Sequence, residues 1–186
     1  MRAKSRPTHG LIDDRQGAVA VEFALIFPMM LTLFLGSFEV TNLLMANLKL
    51  TAATEAAADL ASQTRANTPN LAPTDIDSFN TAAGLIMTPY ASSGLKLAFA
   101  GLTYQVNGSP QVAWHYEENG ATAITTASLD SVTIEGLGSG SDTLIMVKAT
   151  YSYTSPISFV LNKTYSFTDV AYNRPRYVLA LTCTAC

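Results

Sequence analysis

The stretch RQGAVAVEFALIFP, residues 15–28, places one carboxylate, Glu22, inside an apolar run. The run continues to Phe38, and Glu22 is its only charged residue from Ala18 onward. At 1.5 Å per residue, a helix over residues 18–38 is roughly 30 Å long, which matches the hydrocarbon core of a bilayer. A buried core helix is the alternative, but against it stands the lack of any polar face over residues 18–38. We therefore predict a membrane-spanning helix.

The composition agrees with a small domain joined to a membrane segment. The chain has 186 residues, of which 48% are hydrophobic and 13% charged, and its mean hydropathy is +0.22. The charged share is low for a soluble protein. The net charge of -3 and the lack of clustered basic and aromatic residues give no indication of nucleic-acid binding.

Charge on either side of the run predicts the orientation. Basic residues concentrate before it, at Arg2, Lys4, Arg6 and Arg15, whereas the first basic residue after it is Lys49. Lys and Arg remain on the cytoplasmic side, so the N-terminus is expected inside and everything after about residue 40 outside. A cleaved secretory signal is the competing interpretation, but its apolar core is shorter, about 7–15 residues, and ends at an A-x-A-like site.

Glu22 is the first candidate functional residue. A carboxylate in a membrane costs a few kcal/mol unless it finds a partner or reaches the headgroups. Glu22 lies only one turn into the run, so reaching the cytoplasmic headgroups is one interpretation. The other is a counter-charge: a cut after Gly17 would leave a new α-amino group on Ala18, four residues before Glu22. That group could pair with Glu22 of its own helix or of a neighbouring copy.

Gly17, four apolar residues, Glu22 and Phe23 together resemble the site at which type IV prepilins are cleaved. The wider stretch, residues 17–63, resembles the TadE-like family, minor pilins or pseudopilins of the tight-adherence (Tad/Flp) pilus system. The features that match are Gly17, Val21-Glu22-Phe23-Ala24, Pro28, Gly36 and the Ala-rich segment after it, with a weaker match at Asn173-Arg174-Pro175-Arg176. The related TadG-like proteins usually carry longer external parts, which favours the TadE-like interpretation.

The resemblance implies a function and a set of partners. Prepilin peptidase would cut between Gly17 and Ala18 and remove a cytoplasmic leader, residues 1–17. The product would be a single-pass inner-membrane protein with a periplasmic C-terminal domain, able to enter an extracellular pilus. Implied partners are the peptidase, other pilins and minor pilins, the inner-membrane assembly platform and membrane lipid. The alternative is an uncleaved membrane-anchored envelope adaptor or adhesin that does not polymerise.

The helix is predicted to continue beyond the membrane to residue 66. From residue 43 a face with alternating spacings of three and four carries Leu43, Ala46, Leu50, Ala53, Ala57, Leu60 and Thr64. We call these residues the heptad face. It packs either on the protein's own external domain or on another subunit, and Gly36 is a further candidate for helix packing. Pro28 predicts a kink because it lacks an amide hydrogen.

Residues 67–186 predict a small external α+β domain. A helix is expected at 75–88, strands at 95–106, 111–117 and 144–153, and a further strand or two at 157–171, separated by turn signals such as Asn107-Gly108 and Asn119-Gly120. In the fourth segment, alternate residues from Ile145 to Tyr153 share one face. The economical fold is an antiparallel sheet packed against the long helix.

The sequence gives little sign of an enzyme, a metal site or a cofactor. The two histidines are His9 and His115, and a metal at His115 would need Glu117 and Glu118 as ligands. The glycine-rich segment at 136–140 lacks the lysine of a phosphate-binding loop. Trp114 is expected in the core. We therefore expect a protein without catalytic residues, metal or cofactor.

Cys183 and Cys186 form a Cys-x-x-Cys pair in the last four residues of the sequence. Such a pair indicates redox chemistry mainly in a thioredoxin-like context, which this sequence lacks. In an oxidising compartment a disulfide is expected, either within the chain or between copies.

Overall fold

The computed structural model describes residues 15–64, 70–129, 134, 137–138, 142–184 and 186. Its elements, in chain order, are α1 (Arg15–Ser62), β1 (Asn70–Leu71), α2 (Pro73–Ile86), β2 (Leu95–Tyr104), β3 (Pro110–Glu118), β4 (Thr143–Thr154), β5 (Thr164–Asn173) and β6 (Thr182–Cys183). Short 3-10 turns lie at Ser92–Gly94 and Thr126–Ser128.

Helix α1 is the longest element, with 48 residues and a length of roughly 72 Å at 1.5 Å per residue. It runs through Pro28 and ends at Ser62, four positions before the predicted end at residue 66. Residues 1–14, most of the expected leader, lie outside the described residues. The stretch from Gly17 onward is long and apolar enough to cross a membrane.

A four-stranded antiparallel sheet forms the centre of the domain, in the order β3-β2-β4-β5. Two hairpins, β2–β3 and β4–β5, meet through the pairing of β2 with β4. Strand β1 pairs in parallel with β6 in a separate two-stranded sheet. The predicted α+β class, a long N-terminal helix followed by a small domain with an antiparallel sheet, is confirmed.

The sheet has a core on each face. On one face α1 and α2 pack on alternate sheet residues, including the predicted face of β4: Ile145, Val147, Ala149, Tyr151 and Tyr153. On the other face a second cluster contains Ala98, Ala100, Leu102, Tyr104, Ile124, Ile134, Leu144 and Met146. The central strands β2 and β4 are therefore covered on both sides, as their mostly buried residues require.

Helix α2 begins at Pro73, two residues before the predicted start at residue 75. Its N-cap is Ala72, and Pro73 occupies the first turn, where a missing amide hydrogen is harmless. The Asp75 carboxylate accepts a hydrogen bond from the Ala72 amide at 3.0 Å. At the other end of α2, the Lys49 ammonium donates to the Ile86 carbonyl at 3.1 Å, which ties α2 to α1.

The heptad face of α1 packs on the protein's own domain over most of its length. Ala46, Leu50, Ala53 and Ala57 have at most 1% of their surface exposed, and all belong to the core between the helices and the sheet. Leu43, Leu60 and Thr64 are half-buried. Small side chains here allow the helix to lie close to the strands.

The strand predicted at 157–171 is wrong in its first half, because β5 begins only at Thr164. Residues 155–163 form the β4–β5 connection instead. Ser158 has a φ of 52°, in the left-handed region that a strand does not use. The amides that follow it donate to a side chain of α1 rather than to a neighbouring strand.

Candidate functional site

The N-terminal part of α1 stands clear of the domain. Every residue from Ala18 to Phe34 is exposed, Glu22 among them. A side chain placed at Gly17 would meet no atom within 4 Å. Gly17 also lies in the first turn of the helix, where amides lack intrahelical partners and glycine weakens the helix further. Ala18 and Glu22 are therefore open to other molecules.

Pro28 and Gly36 differ in their surroundings. Pro28 lies within the continuous helix, and the Thr32 hydroxyl donates to its carbonyl at 2.8 Å. Gly36 is half-buried, and a Cβ added there would lie 3.5 Å from Val160 Cγ2, at ordinary contact distance. The β4–β5 connection thus reaches back to the last turn of the apolar run.

Glu39, directly after that run, has a buried carboxylate. Its side chain is 1% exposed. Oε1 accepts hydrogen bonds from the Phe159 amide at 2.7 Å and the Ser155 hydroxyl at 3.0 Å. Oε2 accepts from the amides of Val160 and Leu161, both at 2.7 Å. We call the amides of Phe159, Val160 and Leu161 the amide cradle.

The left-handed turn at Ser158 builds the amide cradle. The Ser158 hydroxyl donates to the Ser155 carbonyl at 2.7 Å, and the Ser158 amide donates to Ser155 Oγ at 3.3 Å. A left-handed residue within a turn directs successive amide hydrogens to one side, and such concave groups of amides bind anions. Here the anion is the protein's own carboxylate.

Hydrogen bonding keeps Glu39 ionised despite its burial. Desolvation by itself raises the pKa of this carboxyl group. The amide hydrogen bonds, together with that from Ser155, stabilise the charged form and outweigh this effect, so the pKa falls from 4.5 to about 2. Hydrogen bonds to an ionised acceptor are shorter and stronger than neutral ones, which agrees with the distances of 2.7 Å.

A second attachment joins α1 to the domain at its other end. The Arg176 guanidinium pairs with the Asp59 carboxylate, and the Arg176 amide donates to the Ser62 carbonyl at 3.0 Å. The Arg174 guanidinium donates to the Leu137 carbonyl at 2.5 Å and lies 3.6 Å from the Asp142 carboxylate. The segment 173–176, noted in the sequence for its weak family match, therefore fastens the end of the helix.

The candidate metal-site residues do not converge with other ligands in the part of the chain that the structure describes. His115 Nδ1 lies 2.7 Å from Glu117 Oε1 on the surface of β3. Among the described residues, no group of three or more His, Cys, Asp and Glu side chains could hold a metal ion. Trp114 is half-buried, contacts the core and donates from its indole nitrogen to the Leu181 carbonyl at 2.8 Å.

Cys183 and Cys186 are joined in a disulfide, with their Cα atoms 5.6 Å apart. This is the pairing within the chain, one of the two alternatives that the sequence leaves open. The bond closes a loop of only a few residues next to β6, so its effect on the unfolded chain is small.

Glu39 and its partners were missed in the sequence. The available signal was an acid between Phe38 and Val40 at the end of an apolar run, with no basic residue within a turn of it. Such an acid needs hydrogen-bond donors from elsewhere in the chain. Which segment supplies them is a tertiary property, because the donors lie about 120 positions away.

Comparison with known families bears on the helix that carries Gly17, Glu22 and Glu39. Residues 17–59 match the family model of TadE-like protein. The chain carries a TadE-like segment. The match starts at Gly17, the residue that precedes the expected cut, and it covers the apolar run and most of the heptad face. The resemblance inferred from the sequence is confirmed.

The TadE-like segment associates the chain with the pilin-like proteins of the Tad pilus and, in general terms, with other components of that pilus. The single apolar helix is compatible with a single-pass membrane anchor in such a system. No curated protein and no solved structure matches the chain at a significant level.

Proposed function

We propose that the protein is a minor pilin or pseudopilin, processed by prepilin peptidase, that acts in the assembly or priming of a Tad/Flp-type pilus. The observation that carries this proposal is the TadE-like match, which begins at Gly17 and includes Glu22. The protein is an assembly component rather than an enzyme. Its helix sits in the inner membrane, with the N-terminus in the cytoplasm and the domain in the periplasm.

The arrangement of α1 supports division of the helix into two functional parts. Residues 18–34 are exposed and carry large apolar side chains, so they remain available to lipid or to the helices of other pilins. From Gly36 onward the helix contacts its own domain. Contact with other subunits in this proposal therefore involves the N-terminal part, and the heptad face holds the domain.

Glu22 has its role after cleavage. The new ammonium group on Ala18 would pair with Glu22 of an adjacent subunit in an apolar setting. Such a pair is tolerated when both members are present, because either charge alone is costly in a medium of low dielectric constant. Gly17, which lacks a side chain, would allow the peptidase to approach the bond to Ala18.

The association of Glu22→Gln with other pilins tests this function. In cells that make the pilus, the tagged wild type is expected to co-purify with the other pilins, and Glu22→Gln is expected to be cut but to lose these partners. Glu55→Gln is the matched control, because Glu55 is an exposed acid on the domain half of the same helix. Co-purification of Glu22→Gln at the wild-type level would contradict the charge-pair role. A wild type that captures no pilus component would contradict the assembly function.

A further inference from the structure

The loop that holds Glu39 carries an exposed apolar surface. Ile157, Phe159 and Val160 are 42%, 56% and 49% exposed. The amides of Phe159, Val160 and Leu161 turn inward to the carboxylate, and the side chains of Phe159 and Val160 remain on the outside. We call residues 155–161, the first part of the β4–β5 connection, the β4–β5 loop. This loop combines a polar inner side with an apolar outer side.

The position of this loop along α1 is fixed by two contacts. Val160 faces Gly36, which lies inside the apolar run of residues 18–38. Glu39, the residue after that run, is bound by Phe159 through Leu161. The apolar side chains of the loop therefore lie level with the last turn of the run, next to Phe38, which is itself 48% exposed.

We infer that the β4–β5 loop inserts its side chains Ile157, Phe159 and Val160 into the headgroup and acyl boundary of the leaflet from which α1 emerges. This inference rests on the membrane anchorage contained in the proposed function. The occupant of the apolar surface is lipid, because the surface is continuous with the apolar run that the bilayer surrounds. Apolar side chains at such a boundary typically reach about 5–10 Å into the membrane.

Paired amides in the second half of the loop favour this location. Irregular backbone is normally excluded from the edge of the hydrocarbon region, because each unpaired amide costs several kcal/mol there. In the β4–β5 loop the amides of residues 158–161 all have acceptors, three of them on Glu39. Lys163, two residues beyond the loop, is exposed and adds a positive charge next to this segment, as is typical of side chains near lipid headgroups.

Insertion would fix the orientation of the domain. The helix alone leaves the domain free to tilt and rotate with α1. A second apolar contact at the side of the helix gives the domain a defined face toward the membrane. It also adds a lipid contact that must be released when the protein leaves the bilayer for a fibre.

Quenching by brominated lipid tests the inference. The full chain is reconstituted in nanodiscs of phosphatidylethanolamine and phosphatidylglycerol, with or without bromine on the upper part of the acyl chains. Phe159→Trp reports on the loop, and Ile157→Trp is a second reporter in case the first does not fold. Val106→Trp is the matched control, since Val106 is fully exposed beyond β2, at the end of the sheet opposite the loop. The emission of the wild type comes from Trp114, and its subtraction gives the emission added by the new tryptophan of each variant.

Brominated lipid is expected to reduce the added emission of Phe159→Trp at least twofold and to leave that of Val106→Trp unchanged. Phe34→Trp, inside the apolar run, separates this inference from the anchor itself. Quenching of Phe34→Trp without quenching of either loop reporter would overturn the inference and leave the anchor in place. Absence of quenching at Phe34→Trp would overturn both. The emission of Phe159→Trp could also stay unquenched and shift to the blue only when the number of protein molecules per disc increases. That result would assign the surface to a second copy and overturn lipid contact.

Discussion

Glu39 on α1 and Ser155 at the end of β4 are 116 positions apart in the sequence and are joined by a hydrogen bond of 3.0 Å. This contact and the adjoining amide cradle attach the domain to the helix where the apolar run ends. The Asp59–Arg176 pair attaches it near the end of α1. Between the two attachments, small side chains of the heptad face pack on the sheet.

Replacement of Glu39 by glutamine is expected to destabilise the domain. The side-chain amide has one acceptor oxygen, and its NH2 group would face backbone amides that also donate, so at least one buried donor would lose its partner. A lower Tm in detergent is expected for Glu39→Gln, with no change for the exposed-site control Glu55→Gln. Equal Tm values for Glu39→Gln and the wild type would contradict the importance of the amide cradle.

The stability of the wild type is expected to fall at acidic pH through Glu39. Because its folded pKa, about 2, lies below the ordinary value of 4.5, ionised Glu39 stabilises the folded state above pH 4.5. This contribution is lost progressively as pH falls from 4.5 to about 2. Burial, together with the hydrogen bond and charge of Asp77, raises the pKa of Glu118, an effect of opposite sign.

The difference between the wild type and Glu39→Gln isolates the contribution of Glu39, since both proteins keep Glu118. Thermal melts across this pH range are expected to show a Tm difference that shrinks as the pH decreases. A difference that stays constant down to the lowest pH would show that the charge of Glu39 does not stabilise the fold.

Replacement of Ala53 by leucine is expected to disturb the fold itself. Ala53 is fully buried between α1 and the sheet, and added volume at such a site typically costs about 1–3 kcal/mol. Urea unfolding is expected to show this loss for Ala53→Leu and little change for Ala52→Leu, whose position is exposed. Leader removal is expected to be the same in both. Wild-type stability of Ala53→Leu, together with failed association between subunits, would place this residue in a subunit contact instead.

The orientation is tested by reporter fusions. The charge difference across the apolar run predicts that every residue from Lys49 onward lies outside the cytoplasm. Reporters joined after Thr68 and after Cys186 should therefore both give a periplasmic signal. A cytoplasmic signal from either one would contradict the orientation and, with it, the pilin function.

Features with local causes could be predicted from the sequence. The apolar run, the alternation from Ile145 to Tyr153 and the turn residues at Asn119-Gly120 each depend on neighbours in the chain. They were sufficient for the α+β class, for strands β2, β3 and β4, and for the expectation that the sheet packs against the helix. The heptad face was recognised too, but its small residues suit both a strand and another helix, so its partner was visible only in the fold.

The β4–β5 loop shows why the remainder could not be predicted. Ile157, Phe159 and Val160 have the composition of a strand, and the sequence accordingly predicted one. The loop forms because Glu39 offers its amides a better acceptor than a neighbouring strand, and because Ser158 accepts a left-handed conformation. Neither cause is visible within the segment itself, since Glu39 is about 120 positions earlier.

The mature N-terminus shows whether the protein is processed as a pilin. The protein is purified from cells that contain prepilin peptidase, and its intact mass and N-terminal peptide are measured by mass spectrometry. We expect a chain that begins at Ala18 in the wild type, and a chain with the leader still attached in Gly17→Val. A wild-type chain that still begins at Met1 while the peptidase is present would contradict the claim that this protein is a processed pilin.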